Sequence, residues 1–324
     1  MLRSIIASSA VIALSVIGFY YAVDLNAVWT YLLQADYSYL PLVLVLRALP
    51  IISRTGRFAV LLGSFDQFKK IYHAEALSYL FNNILPFRAG EIAAVALLRA
   101  TMEIRVSRIL SAMALDRLLD VIFLALLLLS TLPFVPVLPP MIGYSLTIVG
   151  LVSGAMFAAM MLALRFQSKF SRLCHHILHK LAPSKVDIWL DRLNEGVEGV
   201  NLLGSPARLA QAIFYTIMSW LWIILSLQVT AWAFGLHPDW IATIFATCVS
   251  VLGGAVVSTP GGLGVMHATI VVSYGLFGIP AAQTLAVAVI LHAASAFVAV
   301  VVGGISLYLS GQPLGKLFQR RSEP

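Results

Sequence analysis

Charge is scarce in this chain. Of its 324 residues 11% are Asp, Glu, Lys or Arg, against 60% that are hydrophobic, a balance far from that of an ordinary soluble domain. Cysteine is scarcer still: Cys174 and Cys248 lie far apart in sequence, so no disulfide framework is expected. Long polar blocks are also missing. The largest hydrophilic interval runs from about Arg165 to Arg208, too little for a soluble catalytic domain. There is no P-loop, Ser/His/Asp constellation or zinc-protease helix motif. A single membrane domain over 1–324 is expected, all-α and polytopic, with no catalytic residues and no cofactor.

What the chain has in abundance is apolar length. Crossing a hydrocarbon core of about 30 Å takes about 20 apolar residues, and six segments reach that: 3–23, 38–64, 108–132, 141–165, 207–234 and 280–310. The first follows Arg3 and ends on Phe19, Tyr20 and Tyr21 with no small-residue cleavage site after it. It reads as an uncleaved span rather than a signal peptide. Two further intervals are broken at their centres. The interval 74–99 is interrupted at Pro86 and Gly90, and its arms of about a dozen residues are too short to be two full spans. The interval 240–277 is interrupted at Thr259-Pro260-Gly261-Gly262-Leu263-Gly264, with arms of about 17 residues that leave a re-entrant hairpin and two short spans both open.

The formal charge of +7 is concentrated in particular loops, which speaks to orientation and anionic lipids more than to nucleic acid. Lys69 and Lys70, then Arg99, Arg105 and Arg108, then Lys169, Arg172, Lys180 and Lys185, and finally Lys316, Arg320 and Arg321 fall on one side. The other side receives Asp24, Asp36, the Pro133 to Pro140 turn and His237-Pro238-Asp239. The basic side is expected to be the cytoplasm, with both termini on it and the chain in the cell inner membrane. On this count the halves 1–135 and 140–311 each read span, span, broken hairpin, span, in opposite orientations. Paired interrupted segments of this kind point to a transporter site near the midplane; the plainer reading is two hairpins that only pack a core.

Between the halves, Phe166, Phe170, Leu173, Cys174, Ile177, Leu178 and Leu181 share one helical face, with Lys169, Arg172, His176, His179 and Lys180 on the rest. The segment 166–206 therefore reads as an amphipathic stretch lying on an anionic leaflet. Its Cys174-His175-His176 cluster does not gather three donors on a face, and no metal site is expected.

Candidate binding residues gather at the breaks. Asn82, Asn83, Pro86, Arg88, Gly90 and Glu91 place a helix break and two ionisable groups at membrane depth, where charge by default marks a substrate or ion pathway. Arg47 and Arg54 are seven apart on one face of the second span, with Pro50 between them. Arg57, one turn on, is expected to snorkel to the cytoplasmic interface. Asp116 and Asp120 share a face beside Arg117, either as part of the site or as an internal salt-bridge network. Arg47, Arg54, Arg57, Arg88 and Arg117 set against Glu91, Asp116 and Asp120 leave an excess of cation, suited to phosphate. In the second half, the N–H groups of Pro260-Gly261-Gly262-Leu263-Gly264 offer an anion cradle. His267 and His292 are lone histidines there, suited to proton relay, headgroup contact or plain packing.

Three of these stretches together resemble the transmembrane domain of the lysylphosphatidylglycerol synthase/flippase family: Asn82 through Glu91 with its Leu-Pro-Phe-Arg-Ala-Gly-Glu core, Asp116-Arg117-Leu118-Leu119-Asp120, and Thr259 through Val265. Each is short, and their order and spacing carry the specificity. The resemblance implies lipid translocation between leaflets, with aminoacylated phospholipids, cardiolipin-like lipids, hopanoid-pathway lipids or polyprenyl-linked sugars as cargo. Where the family often continues with a basic and then an acidic residue, this chain has Met266 and His267. The missing carboxylate favours anionic cargo, and without a synthase domain lysyl transfer is not expected of this chain.

The expected function is thus an inner-membrane flippase or transporter of a charged lipid, an anionic phospholipid or a polyprenyl- or hopanoid-type lipid. The expected partners are membrane lipids with an anionic headgroup. Homo-oligomerisation and contact with lipid-biosynthesis enzymes stay open. Two alternatives remain: a membrane enzyme acting on a lipid-linked phosphate or sugar through Glu91 or Asp116, and a non-transporting partner of a biosynthetic complex.

Overall fold

A computed structural model describes residues 17–85, 89–102, 104–136, part of 143–158, 205–256 and 259–311. The described residues form helices and turns, with no strand among them. Helix α1 (Leu25–Gln34) starts where the Asp24 side chain accepts from the N–H groups of Asn26 and Ala27, filling the acceptor role that the first turn leaves open. Helix α2 (Leu40–Leu62) has Pro41 in its first turn and ends at Gly63, whose φ of 64° suits glycine. There follow α3 (Phe68–Ile84), α4 (Gly90–Met102), α5 (Val106–Thr131), α6 (Pro206–Ala233), α7 (Trp240–Val256), α8 (Val265–Gly275) and α9 (Ala281–Ser310).

Among the described residues, Tyr37–Leu62, Pro206–Ala233 and Ala281–Ser310 are long and apolar enough to cross a membrane. Helix α5 has the length, at 26 residues, but carries Asp116, Arg117 and Asp120 in its middle. These four elements match the expected spans at 38–64, 207–234, 280–310 and 108–132 to within a few residues. Of the expected first span, residues 17–22 are helical, and the rest lies outside the described residues. So do most of the span at 141–165 and nearly all of the amphipathic stretch 166–206.

Hydrogen bonds identify the two ends of the bundle. At one end the Arg108 guanidinium donates to the Leu62 carbonyl at 2.7 Å, and Lys70 Nζ to the Thr101 carbonyl at 2.8 Å. This end therefore gathers the end of α2, the start of α3, the end of α4 and the start of α5. At the other end the Asp36 N–H donates to the Ala233 carbonyl at 2.7 Å, and Gln283 Nε2 to the Phe234 carbonyl at 2.7 Å.

Helices α3 and α4 pack as an antiparallel pair whose outer ends both lie at the Arg108 end. With 17 and 13 residues, they extend about 25 and 20 Å, each short of a core of about 30 Å. Helices α7 and α8 form a second antiparallel pair that opens the opposite way. Thr243 near the start of α7 meets the Tyr274 hydroxyl near the end of α8 at 3.0 Å, and it also donates to Gln228 of α6. Helix α8 has 11 residues and reaches only about 17 Å.

The broken interval expected over 74–99 begins earlier than hydropathy suggests, at Phe68, while its break stays between Ile84 and Gly90. Lys69 and Lys70 are polar enough to end an apolar window, yet they continue the helix that starts at Phe68. The second arm of the other pair is shorter than expected, 11 residues against about 17, because the turn after Gly275 ends it. Close approach of the elements rests on small residues: a Cβ on Gly90 would run into the Ser78 carbonyl, and one on Gly303 into Leu80.

Candidate functional site

Arg47 and Arg54 lie seven residues apart on α2, nearly two turns, and so project in a similar direction. With Glu75, Tyr79 and Asn82 of α3 and Arg117 of α5, they wall a cavity of about 110 Å³. Pro50 sits between the two arginines in that wall, where it removes a helix N–H.

Each arginine is anchored on one side and leaves donor capacity on another. Arg47 reaches Ser226 of α6 at 3.4 Å and also donates to Ser295 of α9. Arg54 lies 3.9 Å from Asp120, with its guanidinium carbon 5.8 Å from the Trp220 ring centre, within cation–π range. Arg117 pairs with Glu91 at 3.3 Å and Asp120 at 3.6 Å. The Nε atoms of all three are buried and without a hydrogen-bond partner among the described residues. A buried, unmade donor is costly, and three on residues that wall one cavity are suited to an anion with several oxygens.

Arg57 departs from its expected place. It is not an interfacial snorkelling residue: its side chain is 0% exposed, because α2 turns it away from the Leu62 end and into the α5 and α6 contact. Its Nε donates to Asp116 at 2.6 Å; its Nη1 donates to Asp120 at 2.7 Å and to Thr216 at 3.1 Å. Trp220 Nε1 also donates to Asp120 at 2.9 Å. Asp116 and Asp120 thus serve the internal ion-pair reading that the sequence left open. Asp120 alone also touches the cavity arginines, through its second oxygen.

The cation excess read from the sequence shrinks for two reasons: Glu75 adds a carboxylate, and Arg88 is not among the described residues. Among the described residues, Arg47, Arg54, Arg57 and Arg117 face Glu75, Glu91, Asp116 and Asp120, four against four. Arg88, with Pro86 and Phe87, lies outside the described residues. The cavity wall itself still holds three guanidinium groups and one carboxylate. Glu75 makes no hydrogen bond or ion pair among the described residues, and lies within electrostatic reach of Arg117, Arg54, Arg57 and Asp116. A signal for it was present, since it precedes Asn82 by seven residues and so shares its helical face. Ser226 and Ser295 gave no such signal, because serine in an apolar helix is ordinary.

The asparagines hold the break together. Asn82 Oδ1 accepts from the Gly90 N–H at 3.0 Å, across the turn between α3 and α4, and Asn83 Nδ2 donates to the Tyr79 carbonyl at 2.9 Å. Asn83 also meets the second break, because a Cβ on Gly261 would stand 3.2 Å from its carbonyl oxygen. The Pro260–Gly262 turn has Gly261 and Gly262 at φ of 60° and 75°. The Gly262 N–H donates to Thr259 at 3.0 Å, so that donor is engaged within the turn rather than presented as part of an anion cradle.

His267 and His292 are not lone residues: their rings face each other with centroids 5.1 Å apart.

A family model described as the lysylphosphatidylglycerol synthase TM region matches residues 5–303 of this chain. The chain belongs to that family. As a member of the lysylphosphatidylglycerol synthase TM family it is a multi-pass membrane protein of lipid-related processes. Comparison with curated proteins and with solved structures gives no match. Within this family member the matched stretch takes in the cavity, both helix breaks and the histidine pair.

Proposed function

We propose that this protein moves an anionic lipid between the leaflets of the cell inner membrane. The cavity walled by Arg47, Arg54 and Arg117 holds the headgroup while the acyl chains stay in the bilayer. The observation that carries this reading is the set of three buried guanidinium nitrogens, without a partner among the described residues, on the wall of one cavity beside two helix breaks. Irregular backbone at membrane depth is tolerated where it is buried in protein or lines a cavity.

In this reading α3 with α4 and α7 with α8 are re-entrant hairpins, entering from the cytoplasm and from outside. With the apolar stretches 3–23 and 141–165, α2, α5, α6 and α9 make six spans in two inverted halves, with both termini cytoplasmic. The opposed openings of the hairpins, their contact at Asn83 and Gly261, and the short reach of α4 and α8 support it. A cycle requires that the headgroup bind the two access states with different affinity. The pairing of Arg54 and Arg117 with Asp120 supplies a means: an arriving phosphate competes with that carboxylate for both guanidinium groups. Glu75 on the same wall, when ionised, repels a second negative charge and so favours a headgroup of low net charge. The lipid leaves unchanged, as a carrier's cargo rather than an enzyme's substrate.

Reconstitution in liposomes containing fluorescent phosphatidylglycerol tests this. Faster loss of leaflet asymmetry than in empty vesicles, with unaltered lipid masses afterwards, is the expected result. Exchange no faster than in empty vesicles for phosphatidylglycerol, cardiolipin and an aminoacylated lipid contradicts it. A changed lipid mass would indicate an enzyme instead.

A further inference from the structure

His267 belongs to α8 and His292 to α9, yet the rings lie 5.1 Å apart, tilted by 39°. Each keeps a buried Nδ1 with no hydrogen-bond partner among the described residues. His292 Cε1 lies 3.5 Å from where a Cβ on Gly261 would stand, which places the pair against the tip of the second helix break. On its other side is Arg47, which bears electrostatically on His292. Its guanidinium is held by Ser226 and by Ser295, one turn on from His292. The histidines therefore border the same arginine that walls the headgroup cavity.

The surroundings leave few other charges to consider. Helix α7, packed on α8, has no Asp, Glu, Lys, Arg or His, and its Cys248 lies in an apolar cluster with Phe245 and Trp220. Helix α1, packed on α9, has none of those five residue types either. Helix α3 presents Tyr79, whose hydroxyl donates to the Ser295 carbonyl at 3.4 Å, and the uncharged Asn83. From α6 comes Ser226. Among the described residues, the charged and titratable groups bearing on the pair are thus His292 upon His267 and Arg47 upon His292.

Two imidazolium ions at this separation, one of them buried and the other partly so, beside a guanidinium, repel each other. One proton can be shared out between them; two cannot both stay. A neutral pair, for its part, leaves two buried ring nitrogens unsatisfied. An anion entering the cavity beside Arg47 offsets the positive charge that opposes protonation. Proton and anion then favour each other's binding, and this coupling is reciprocal.

We propose that the His267 and His292 pair is a one-proton site linked to headgroup occupancy through Arg47, so that the proton is the ion coupled to lipid movement. The inference rests on the transport reading above for its consequence, while the pairing itself stands apart from that reading.

The full chain, with 15N-labelled histidine in phosphatidylcholine nanodiscs, separates the two. The ring signals of His267 and His292 are followed as pH falls through the ordinary histidine range, with free imidazole in the same buffer as the reference. The expected result is coupled titration. Removing one partner, as His267→Gln, changes the proton affinity of His292 by about tenfold or more, the interaction at which two sites titrate as one pair. The reciprocal His292→Gln variant, read at His267, covers loss of folding in either one. Rings that titrate independently overturn the one-proton site.

In liposomes, wild-type phosphatidylglycerol exchange is expected to vary with pH over the same range, and either Gln variant to flatten that dependence. A wild-type pH profile in both variants overturns the coupling. No wild-type exchange at any pH refutes the transport reading instead, and the one-proton site then stands or falls on the ring titrations.

Discussion

Gly261 lies against Asn83, so that the turn breaking the second helical pair is seated on the end of α3. With its φ of 60° and a carbonyl oxygen 3.2 Å from where a Cβ would stand, Gly261 has two reasons to be glycine. Gly261→Ala is expected to destabilise the fold by about 1 to 2 kcal/mol, the usual penalty for a side chain in left-handed backbone, seen as a lower midpoint of unfolding in detergent. Asn83→Cys with Gly261→Cys is expected to cross-link with a short bifunctional reagent. An unlinked double variant that is otherwise folded would separate the two breaks.

Arg57 is a structural residue, and its loss should read as such. Arg57→Met leaves Asp116 buried without the cation it meets and Asp120 with only its longer Arg54 and Arg117 pairs, and breaking a buried pair from one side costs about 3 to 5 kcal/mol. Replacing all three with apolar or amide residues should recover most of that loss. Chemical unfolding of both variants measures the difference; equal stability of Arg57→Met and wild type contradicts the triad.

Arg54 is expected to act on cargo rather than on the fold. Arg54→Gln should lower lipid exchange tenfold or more with little change in unfolding midpoint, because its one ion-pair contact among the described residues, 3.9 Å from Asp120, is long and its side chain is 26% exposed. Arg54→Lys keeps the charge but loses the planar fork, so it should rescue only part of the rate.

Glu75 should set selectivity. Removing its charge in Glu75→Gln leaves three guanidinium groups on the cavity wall without the opposing carboxylate. Headgroups of higher negative charge, such as that of cardiolipin, are expected to compete severalfold better in the variant. An unchanged preference among anionic lipids, measured by competition in the exchange assay, would remove Glu75 from the site.

Much of this architecture was legible because apolar length and helix-breaking residues are direct physical signals. The helices α2, α5, α6 and α9 followed from hydropathy, and both breaks from Pro and Gly in apolar surroundings. The pairing of Arg47 with Arg54 followed from a seven-residue spacing. What the sequence concealed depends on contacts between distant helices. The burial of Arg57 is decided by Asp116, Asp120 and Thr216, two of them on α5 and one on α6. The meeting of His267 with His292 needs α8 to pack on α9. Glu75 was readable from its register with Asn82, but it stood at the edge of an apolar window, where a charge looks like a boundary.

Native mass spectrometry of lipids retained by the purified protein tests the headgroup cavity most directly. Wild type is expected to carry an anionic phospholipid that survives delipidating detergent, and the Arg47→Gln, Arg54→Gln, Arg117→Gln triple variant to lose it while still folded. Equal retention by both proteins, or retention of neutral lipid alone, would contradict a headgroup held by these three arginines.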